Sequence, residues 1–252
     1  TNCAFARQRP PDTSLSYAFV NEAADTGEFM SYTLYAIYYV PSDGPLADFG
    51  AAWLGWDVAK GRDTPQPDVP GLHDITMTPR KYGFHGTLKP PFRLAEGRTL
   101  DGLDATARSV AAKCTPAECD GLALRTLGHF LALTPVGDRT SLQVIAEACV
   151  RDLDAFRATP TPAELARRRQ TGLTERQEIL LTNWGYPYVL EEFQFHLTLS
   201  GKLAGDTITD WQKTIARHLP ELPCPFVVDQ ISLCGERSDG RFELIHRYTL
   251  TG

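Results

Sequence analysis

Apolar and polar side chains alternate in two short stretches of the chain, residues 82–91 and 193–201, and this alternation predicts β-strands. Successive side chains of a strand point to opposite faces, so one face of each strand packs while the other is free to act. The second stretch shows the pattern at greater length: its apolar face comprises Phe193, Phe195, Leu197 and Leu199, and its polar face comprises Gln194, His196, Thr198 and Ser200.

The remaining pattern predicts a mixed series of strands and helices. Residues 32–40 are rich in aromatic and β-branched types and predict a central strand. Further strands are predicted at residues 122–127, 130–134, 140–146, 226–233 and 241–250, and helices at residues 46–56, 99–114 and 210–219, with two more beginning after Thr161 and Thr174 as N-caps. This order is not a regular series of strand-helix-strand units, and it predicts an α+β protein with largely antiparallel sheets.

The periodic pattern begins only at Met30. Residues 1–29 are polar, contain Pro10-Pro11 and show no sustained period of either kind. We therefore predict a disordered or non-native N-terminal extension over residues 1–29 and a single globular domain over residues 30–252.

Composition narrows the class of protein. The chain has 252 residues, of which 42% are hydrophobic and 22% charged, as expected of a globular protein with a substantial core. The net charge of −6 argues against long nucleic acid as a partner. No membrane span is predicted, because no apolar run approaches the roughly 18–20 residues that a span needs. No signal peptide is predicted, because the N-terminal residues do not show a basic segment followed by an apolar one. The six cysteines form no C-x-x-C pair, which predicts buried free thiols and a cytoplasmic location.

Both alternating stretches contain the same motif, Phe-His-x-Thr-Leu, at His85 and Thr87 and again at His196 and Thr198. The two histidines are 111 positions apart (196 minus 85). In each copy the His and the Thr two residues later share one strand face. A single copy would most simply be a surface or core histidine, but the repetition suggests two halves that each contribute one His and one Thr to a common site.

Two imidazoles that face one cleft can serve as general base and general acid, because histidine titrates near neutral pH. The threonine hydroxyls can hold the non-bridging oxygens of a phosphate. This set suits in-line displacement at phosphorus, and we predict no metal and no cofactor. The alternative is metal hydrolysis with both histidines as ligands, for which Glu191 or Glu192 would supply a carboxylate. No glycine-rich phosphate loop follows a predicted strand.

Five further residues near the motifs are candidates for substrate binding. Lys89 lies an even number of positions after His85 and Thr87, so it shares their face if the strand is regular. Tyr82 is predicted to share that face as well. The other candidates are Arg80, Arg93 and Tyr188. By contrast, the run of arginines at 167–169 is interpreted as the solvated end of a helix.

The paired motifs resemble those of the two-histidine (2H) phosphoesterase superfamily, whose members carry one His-x-Thr/Ser motif in each lobe. The chain is most similar to the branch encoded near C–P lyase genes of phosphonate metabolism. Gly86 occupies a position where alanine is expected in this branch. The difference is small, and the position faces away from the site. The matching segments are residues 32–41, 49–56, 80–94, 184–188 and 195–201.

The resemblance implies a bilobal, pseudo-two-fold fold with two antiparallel sheets flanked by helices around a central cleft. It also implies a metal-independent phosphodiesterase that acts on a small cyclic or 2′–5′ phosphodiester, with His85 and His196 catalytic. A phosphoribosyl cyclic phosphate of phosphonate metabolism is the substrate suggested for this branch. Two alternatives stay open: a non-catalytic module that binds a nucleotide or phosphorylated sugar, and an RNA-end-processing 2′,3′-cyclic phosphodiesterase. In each case the partner is a small or terminal phosphate, and the oligomeric state is not predicted.

Overall fold

Eleven strands are present in residues 32–170 and 172–252, the part of the chain that the computed structural model describes. They are β1 (Tyr35–Tyr39), β2 (Trp56–Asp57), β3 (Arg62–Asp63), β4 (Gly86–Phe92), β5 (Ala117–Cys119), β6 (Gly121–Leu127), β7 (Phe130–Val136), β8 (Leu197–Thr198), β9 (Phe226–Val228), β10 (Gln230–Glu236) and β11 (Phe242–Thr249). Seven of them form one antiparallel sheet in the order β11-β10-β1-β4-β8-β7-β6, while β2 pairs with β3 and β5 with β9. The predicted extension over residues 1–29 lies outside the described residues.

In the described part of the chain, seven α-helices lie between these strands: α1 (Pro45–Leu54), α2 (Leu72–Arg80), α3 (Leu100–Ala111), α4 (Thr140–Asp152), α5 (Pro162–Arg169), α6 (Glu175–Trp184) and α7 (Ile208–His218). The protein is therefore a mixed α and β protein with antiparallel sheets, as the sequence predicts. Within the described ranges, none of the helices has the length and apolar character that crossing a bilayer requires.

The central strand β1 is buried on both of its faces, which explains its almost continuous run of apolar residues. Alternate side chains enter two separate cores. The main core, which includes side chains of α3 and α4, receives Tyr35, Ile37 and Tyr39. The second core, on the opposite face with Trp56 and Phe242, receives Ala36, Tyr38 and Val40. One face of the sheet thus packs against helices, and the other carries the smaller core.

Most of the predicted helices are present, and their caps form for the predicted reasons. Thr161 and Thr174 each accept a hydrogen bond from the backbone three residues later, and in both cases the side chain at that position bonds back to the cap. These reciprocal capping boxes begin α5 and α6. Gly185 ends α6 in the left-handed conformation.

The strand predicted over residues 140–146 is wrong, because these residues form the first half of α4. The buried positions of α4 are spaced three and four apart, as in an amphipathic helix: Leu142, Ile145, Ala146, Cys149 and Val150. Seven residues are too few to distinguish the spacing of apolar positions in a helix from that in a strand. The helical spacing is evident only over all 13 residues of α4. Helix α2 was not predicted, and Trp56 belongs to β2 instead of the preceding helix, although it is buried.

The two sheets expected from the resemblance are joined into one in the described part of the chain. The joint is narrow: β4 and β8 are connected through the single pair Gly86 and Leu197. On one side lie β11, β10, β1 and β4 with the first motif, and on the other lie β8, β7 and β6 with the second motif. This seam brings the two motifs together.

Five cysteines are described, and all are free thiols. Four of them are buried, as predicted, namely Cys114, Cys119, Cys149 and Cys234. Cys224 is exposed, contrary to the prediction, and its thiol contacts the Asp120 carbonyl at 3.1 Å. Cys3 lies outside the described residues.

Candidate active site

The two histidines lie one residue before the paired ends of β4 and β8. Gly86 is directly opposite Leu197 in this antiparallel pair. Continuing the register by one residue in each direction places His85 opposite Thr198 and Thr87 opposite His196. Each histidine is therefore set beside the threonine of the other motif, on the face of the sheet opposite to Gly86 and Leu197.

Backbone carbonyls fix the orientation of both imidazole rings. Nδ1 of His85 lies 2.9 Å from the carbonyl oxygen of Gly83, and Nδ1 of His196 lies 2.8 Å from that of Gln194. A carbonyl can only accept, so Nδ1 carries the proton and donates in both rings. The basic atom of each neutral ring is then Nε2. In His85, Nε2 accepts a hydrogen bond of 3.1 Å from the Thr87 hydroxyl.

Burial keeps both histidines neutral near pH 7. It lowers the pKa of His85 to about 4, although the Gly83 carbonyl acts in the opposite direction, and the charge of His196 lowers this pKa further. Burial also lowers the pKa of His196, again against its bond to the Gln194 carbonyl. Both rings are therefore available as bases at neutral pH.

Aromatic rings pack against both histidines. The ring of Tyr38, fully buried in β1, lies over that of His85 with centroids 3.8 Å apart. Phe130 packs against His196 at 5.5 Å. Tyr38 was not singled out from the sequence, because it is one of several aromatic residues in β1. Its pairing with Thr87 across the sheet places it on the histidine face.

Two adjoining clefts contain the site. The first cleft has a volume of about 520 Å³ and its walls include His85, Thr87 and Thr198. The second cleft has a volume of about 470 Å³ and its walls include Thr87 and His196. The two clefts adjoin each other, because they share Thr87, Pro90 and Tyr186 as lining residues, and we refer to them together as the depression. All four motif side chains predicted to act together line this depression.

Lys89 lies on the opposite face of the sheet from His85, because β4 is not regular. The register against β1 shifts between Thr87, opposite Tyr38, and Lys89, opposite Ile37. This bulge turns Lys89 towards the main core, where its amine donates to the Val150 carbonyl at 3.1 Å and lies 3.5 Å from Asp154. It lines neither cleft. Burial lowers its pKa to about 8.

Arg80 also lies away from both clefts. Its guanidinium donates to the Leu54 carbonyl at 2.7 Å and to Gln66 at 2.8 Å, so it fixes the end of α1 against the following loop. Tyr82, by contrast, lines the first cleft. The prediction that Tyr82 shares the strand face of His85 is wrong in its reason, because three positions separate the two residues and a regular strand would place them on opposite faces. The turn before β4 brings it to the cleft instead.

Arg93 and Tyr188 line the depression, one in each cleft. Arg93 lies in the first cleft and is paired with Glu164 at 2.9 Å. Tyr188 lies in the second cleft, is 42% exposed, and packs edge-on against Tyr186.

Several basic residues of the first cleft were not predicted. Besides Arg93, the lining includes Lys81, Arg157, Arg167 and Arg168. The arginines of α5 are interpreted from the sequence as a solvated helix end. Arg167 and Arg169 are exposed, as this interpretation predicts, and Arg168 is partly buried, but Arg167 and Arg168 also line the first cleft. The signal that could have identified these two residues is their spacing: Glu164, Leu165, Arg167 and Arg168 share one helix face.

The described residues contain no group of three or more His, Cys, Asp or Glu side chains arranged to hold a metal ion. Glu191, one of the two carboxylates considered for such a site, is paired with Arg176. Glu192 lines the second cleft with His196 and accepts a hydrogen bond of 2.9 Å from Gln177.

Gly86 is required by the packing behind the histidines. A Cβ at this position would lie 2.3 Å from the ring of Phe195, which is buried beside His196. We expect Gly86→Ala to reduce the free energy of unfolding by about 1–3 kcal/mol, because an overpacked core must shift. Urea unfolding measures this. Gly205→Ala is the control, since a Cβ there meets no atom within 4 Å.

A second substitution separates overpacking from other effects of the alanine. Phe195→Leu should restore part of the stability of the Gly86→Ala protein, because it removes the ring edge that the new methyl group meets. Equal stability of the Gly86→Ala and parent proteins would contradict this account of Gly86.

The fold and the paired motifs define a class of protein with an antiparallel sheet and two adjoining clefts, each lined by one motif histidine. The particular family follows from comparison with known sequences. A model of the family DUF1045, described as a protein of unknown function, matches residues 87–243, and the chain belongs to this family.

Two curated relatives share the name ribose 1,5-bisphosphate phosphokinase PhnN. The protein from Janthinobacterium sp. (strain Marseille) is 37% identical over 221 residues, which are 83% of this chain and 49% of the relative. The protein from Laribacter hongkongensis (strain HLHK9) is 36% identical over 189 residues, 73% of this chain and 44% of the relative. The chain thus spans about half the length of the curated relatives it matches.

Solved structures show only distant likeness. A crystal structure of a phosphoesterase aligns with a TM-score of 0.40 and 12% identity over 88% of this chain and 100% of that one. The crystal structure of TT0787 from Thermus thermophilus aligns with a TM-score of 0.42 and 13% identity over 87% of this chain and 98% of that one. Both scores are too low to support a conclusion about function.

Proposed function

We propose that this chain is a 2H-type phosphodiesterase that hydrolyses a small cyclic or 2′–5′ phosphodiester without a metal ion. The observation that carries the proposal is the arrangement at the seam: two imidazoles, each with Nδ1 bonded to a carbonyl, and two threonines line the depression formed by two adjoining clefts. His85 and His196 act as acid and base, and Thr87 and Thr198 hold the phosphate.

In this mechanism the Nε2 atom of one histidine accepts a proton from a water molecule while the water oxygen attacks phosphorus. The other Nε2 gives a proton to the leaving oxygen. Both rings are neutral in the free protein because burial lowers their pKa. The negative charge of a bound phosphate favours the protonated imidazole, so the acid acquires its proton when substrate binds. Thr87 then exchanges its bond to the His85 ring for one to a phosphate oxygen.

The relatives' names support a small phosphorylated sugar as substrate. A ribose 1,5-bisphosphate phosphokinase acts on a phosphorylated ribose, and this chain corresponds to about half of each such protein. The present sequence contains no G-x-x-x-x-G-K-[S/T] phosphate loop. We propose that the kinase activity of the relatives belongs to their other half, and that this half acts on a related phosphoribosyl ester, such as a cyclic phosphate in phosphonate metabolism.

We propose further that the two parts of the sheet on either side of the seam correspond to the two lobes of a 2H fold. Each part carries one motif at the strand that borders the seam, β4 in one and β8 in the other. A pseudo-two-fold relation between them is supported by the reciprocal setting of His85 with Thr198 and of His196 with Thr87.

Turnover in the presence of EDTA tests the proposal. The panel comprises a nucleoside 2′,3′-cyclic phosphate, a 2′–5′ dinucleotide and phosphoribosyl 1,2-cyclic phosphate, with ribose 1,5-bisphosphate plus ATP as the kinase substrate. We expect chelator-resistant hydrolysis of at least one diester and no phosphoryl transfer from ATP. Hydrolysis that stops in EDTA and returns with a divalent metal would contradict the metal-free mechanism.

The alternative function is a binding module for a nucleotide or phosphorylated sugar. It would be preferred if no diester is turned over while a phosphorylated ligand binds in the depression. A role in RNA-end processing would be preferred if only the nucleoside 2′,3′-cyclic phosphate is hydrolysed.

A further inference from the structure

The first cleft is strongly basic although the protein is acidic overall. Five of its described lining residues are lysine or arginine and one is acidic, Glu164, whereas the whole chain has a net charge of −6. The motif histidines are neutral and add no charge. Such concentration of one sign in a concave site attracts a multiply charged anion.

Two of the five cations, Lys81 and Arg93, flank strand β4 in the sequence. Lys81 pairs with Glu236 at 2.6 Å, and Arg93 pairs with Glu164 at 2.9 Å. The other three are Arg157, Arg167 and Arg168, which lie on the loop before α5 and on α5 itself.

Arg157 is held in a fixed orientation. Its guanidinium makes a two-point contact with Asp154, at 2.7 and 3.1 Å, and also donates to the Asn183 carbonyl. The Asp154 carboxylate also lies 3.5 Å from the buried amine of Lys89. Arg157, Lys89 and Asp154 together therefore carry a net positive charge beside the cleft. A guanidinium positioned before the ligand arrives loses little conformational entropy on binding.

Arg168 is placed by an aromatic ring. Its guanidinium lies 4.4 Å from the ring centroid of Tyr186, a residue that lines both clefts. Arg167 is on the same face of α5 and is exposed. These arginines line the same cavity as His85 and Thr198, but the partners that orient Arg157 and Arg168 are Asp154, the Asn183 carbonyl of α6 and the Tyr186 ring, none of which belongs to the motif strands.

We propose that Arg157, Arg167 and Arg168 form a second anion subsite of the first cleft, which binds a phosphate that does not react. The proposal rests on the proposed function and narrows its substrate class to phosphodiesters that carry a second phosphate at the other end of a small molecule. The His-x-Thr motifs hold the diester that is hydrolysed, and the arginine subsite holds the phosphate monoester. A guanidinium group suits this task because it can donate two parallel hydrogen bonds to two oxygens of one phosphate.

A matched pair of substrates tests this subsite: ribose 1,2-cyclic phosphate and the same compound with a 5-phosphate. We expect the chain to prefer the 5-phosphorylated compound in kcat/KM. The Arg167→Ala/Arg168→Ala protein should lose about 10- to 100-fold of that preference, since charge-assisted hydrogen bonds are removed. Arg169→Ala is the control: it removes one positive charge from the same helix, but Arg169 pairs with Glu178 and does not line the cleft.

The variants should fold, because α5 contributes no buried side chain. Binding of ribose 5-phosphate, measured by calorimetry, gives a readout that needs no turnover, and the double variant should bind it at least about 10-fold more weakly than the Arg169→Ala protein. Thermal unfolding of all proteins verifies that they share one folded state.

The outcomes separate this proposal from the function on which it rests. Hydrolysis with equal preference for the two compounds, unchanged in the double variant, would reject the subsite and leave the phosphodiesterase intact. Absence of hydrolysis together with arginine-dependent binding of ribose 5-phosphate would reject the phosphodiesterase and support the subsite. Equal loss of preference in the Arg169→Ala control would show general electrostatic attraction and also reject the subsite.

Discussion

Replacement of His85 or His196 by asparagine is expected to lower kcat/KM for the cyclic phosphodiester by about 10²- to 10⁴-fold, the usual contribution of a general acid or base. Asparagine places an amide donor near the position of Nδ1 and can keep the bond to the Gly83 or Gln194 carbonyl. It has no group at the position of Nε2. The measurement is steady-state turnover of each single variant and of the double variant in EDTA.

The loss of kcat/KM in the double variant should be smaller than the product of the two single losses, because a general base without its acid partner contributes little to the rate. His246→Asn is the control, since His246 lies on β11 and lines neither cleft. Near-parent activity in either single variant, with folding intact, would rule out the two-histidine mechanism.

Acid should destabilise the protein through His85 well before most carboxylates titrate. The pKa of His85 is about 4 in the folded protein, whereas an unfolded histidine has a pKa near 6.5. Between these values the unfolded chain binds a proton that the folded protein does not, so stability is fully present above about pH 6.5 and falls as the pH drops towards 4. From pH 7.5 to pH 4.5 this linkage amounts to about 2.5 kcal/mol for one group. The lowered pKa of His196 acts in the same direction.

The His85→Asn protein isolates this contribution from every other group that titrates over the same range. Urea unfolding of both proteins at a series of pH values should show the parent losing about 2.5 kcal/mol more than the variant between pH 7.5 and pH 4.5. Parallel loss in the two proteins would mean that His85 is protonated in the folded state at neutral or mildly acidic pH, and the description of its environment would have to change.

Gly86 leaves room for a neighbouring side chain at the seam between the two motifs. The seam contains a single strand pair, and the ring of Phe195 fills the place where Gly86 has no side chain. The glycine was noted from the sequence as a small departure from the resembling family. In the structure it is the residue that leaves room for the Phe195 ring where the two halves of the sheet meet.

The sequence by itself determined those features that depend on local periodicity. Alternation placed Thr87 and Thr198 on the faces of their histidines, the aromatic run marked β1 as central, and Thr161 and Thr174 predicted the starts of two helices through short-range capping bonds. The repeated motif was enough to predict a paired site, because it does not depend on knowing which strands are neighbours. Residues 140–146 show the limit of this reasoning, since a short segment is consistent with both periods.

Tertiary structure decided everything that depends on contacts between distant segments. A bulge against β1 sent Lys89 to the main core, and a network around α1 engaged Arg80, although both lie close to the first motif in sequence. The same packing brought Tyr38 onto the His85 ring and turned one face of α5 towards the cleft. No local pattern carries this information, because the register of a strand pair and the face that a helix presents are set by the partners they pack against.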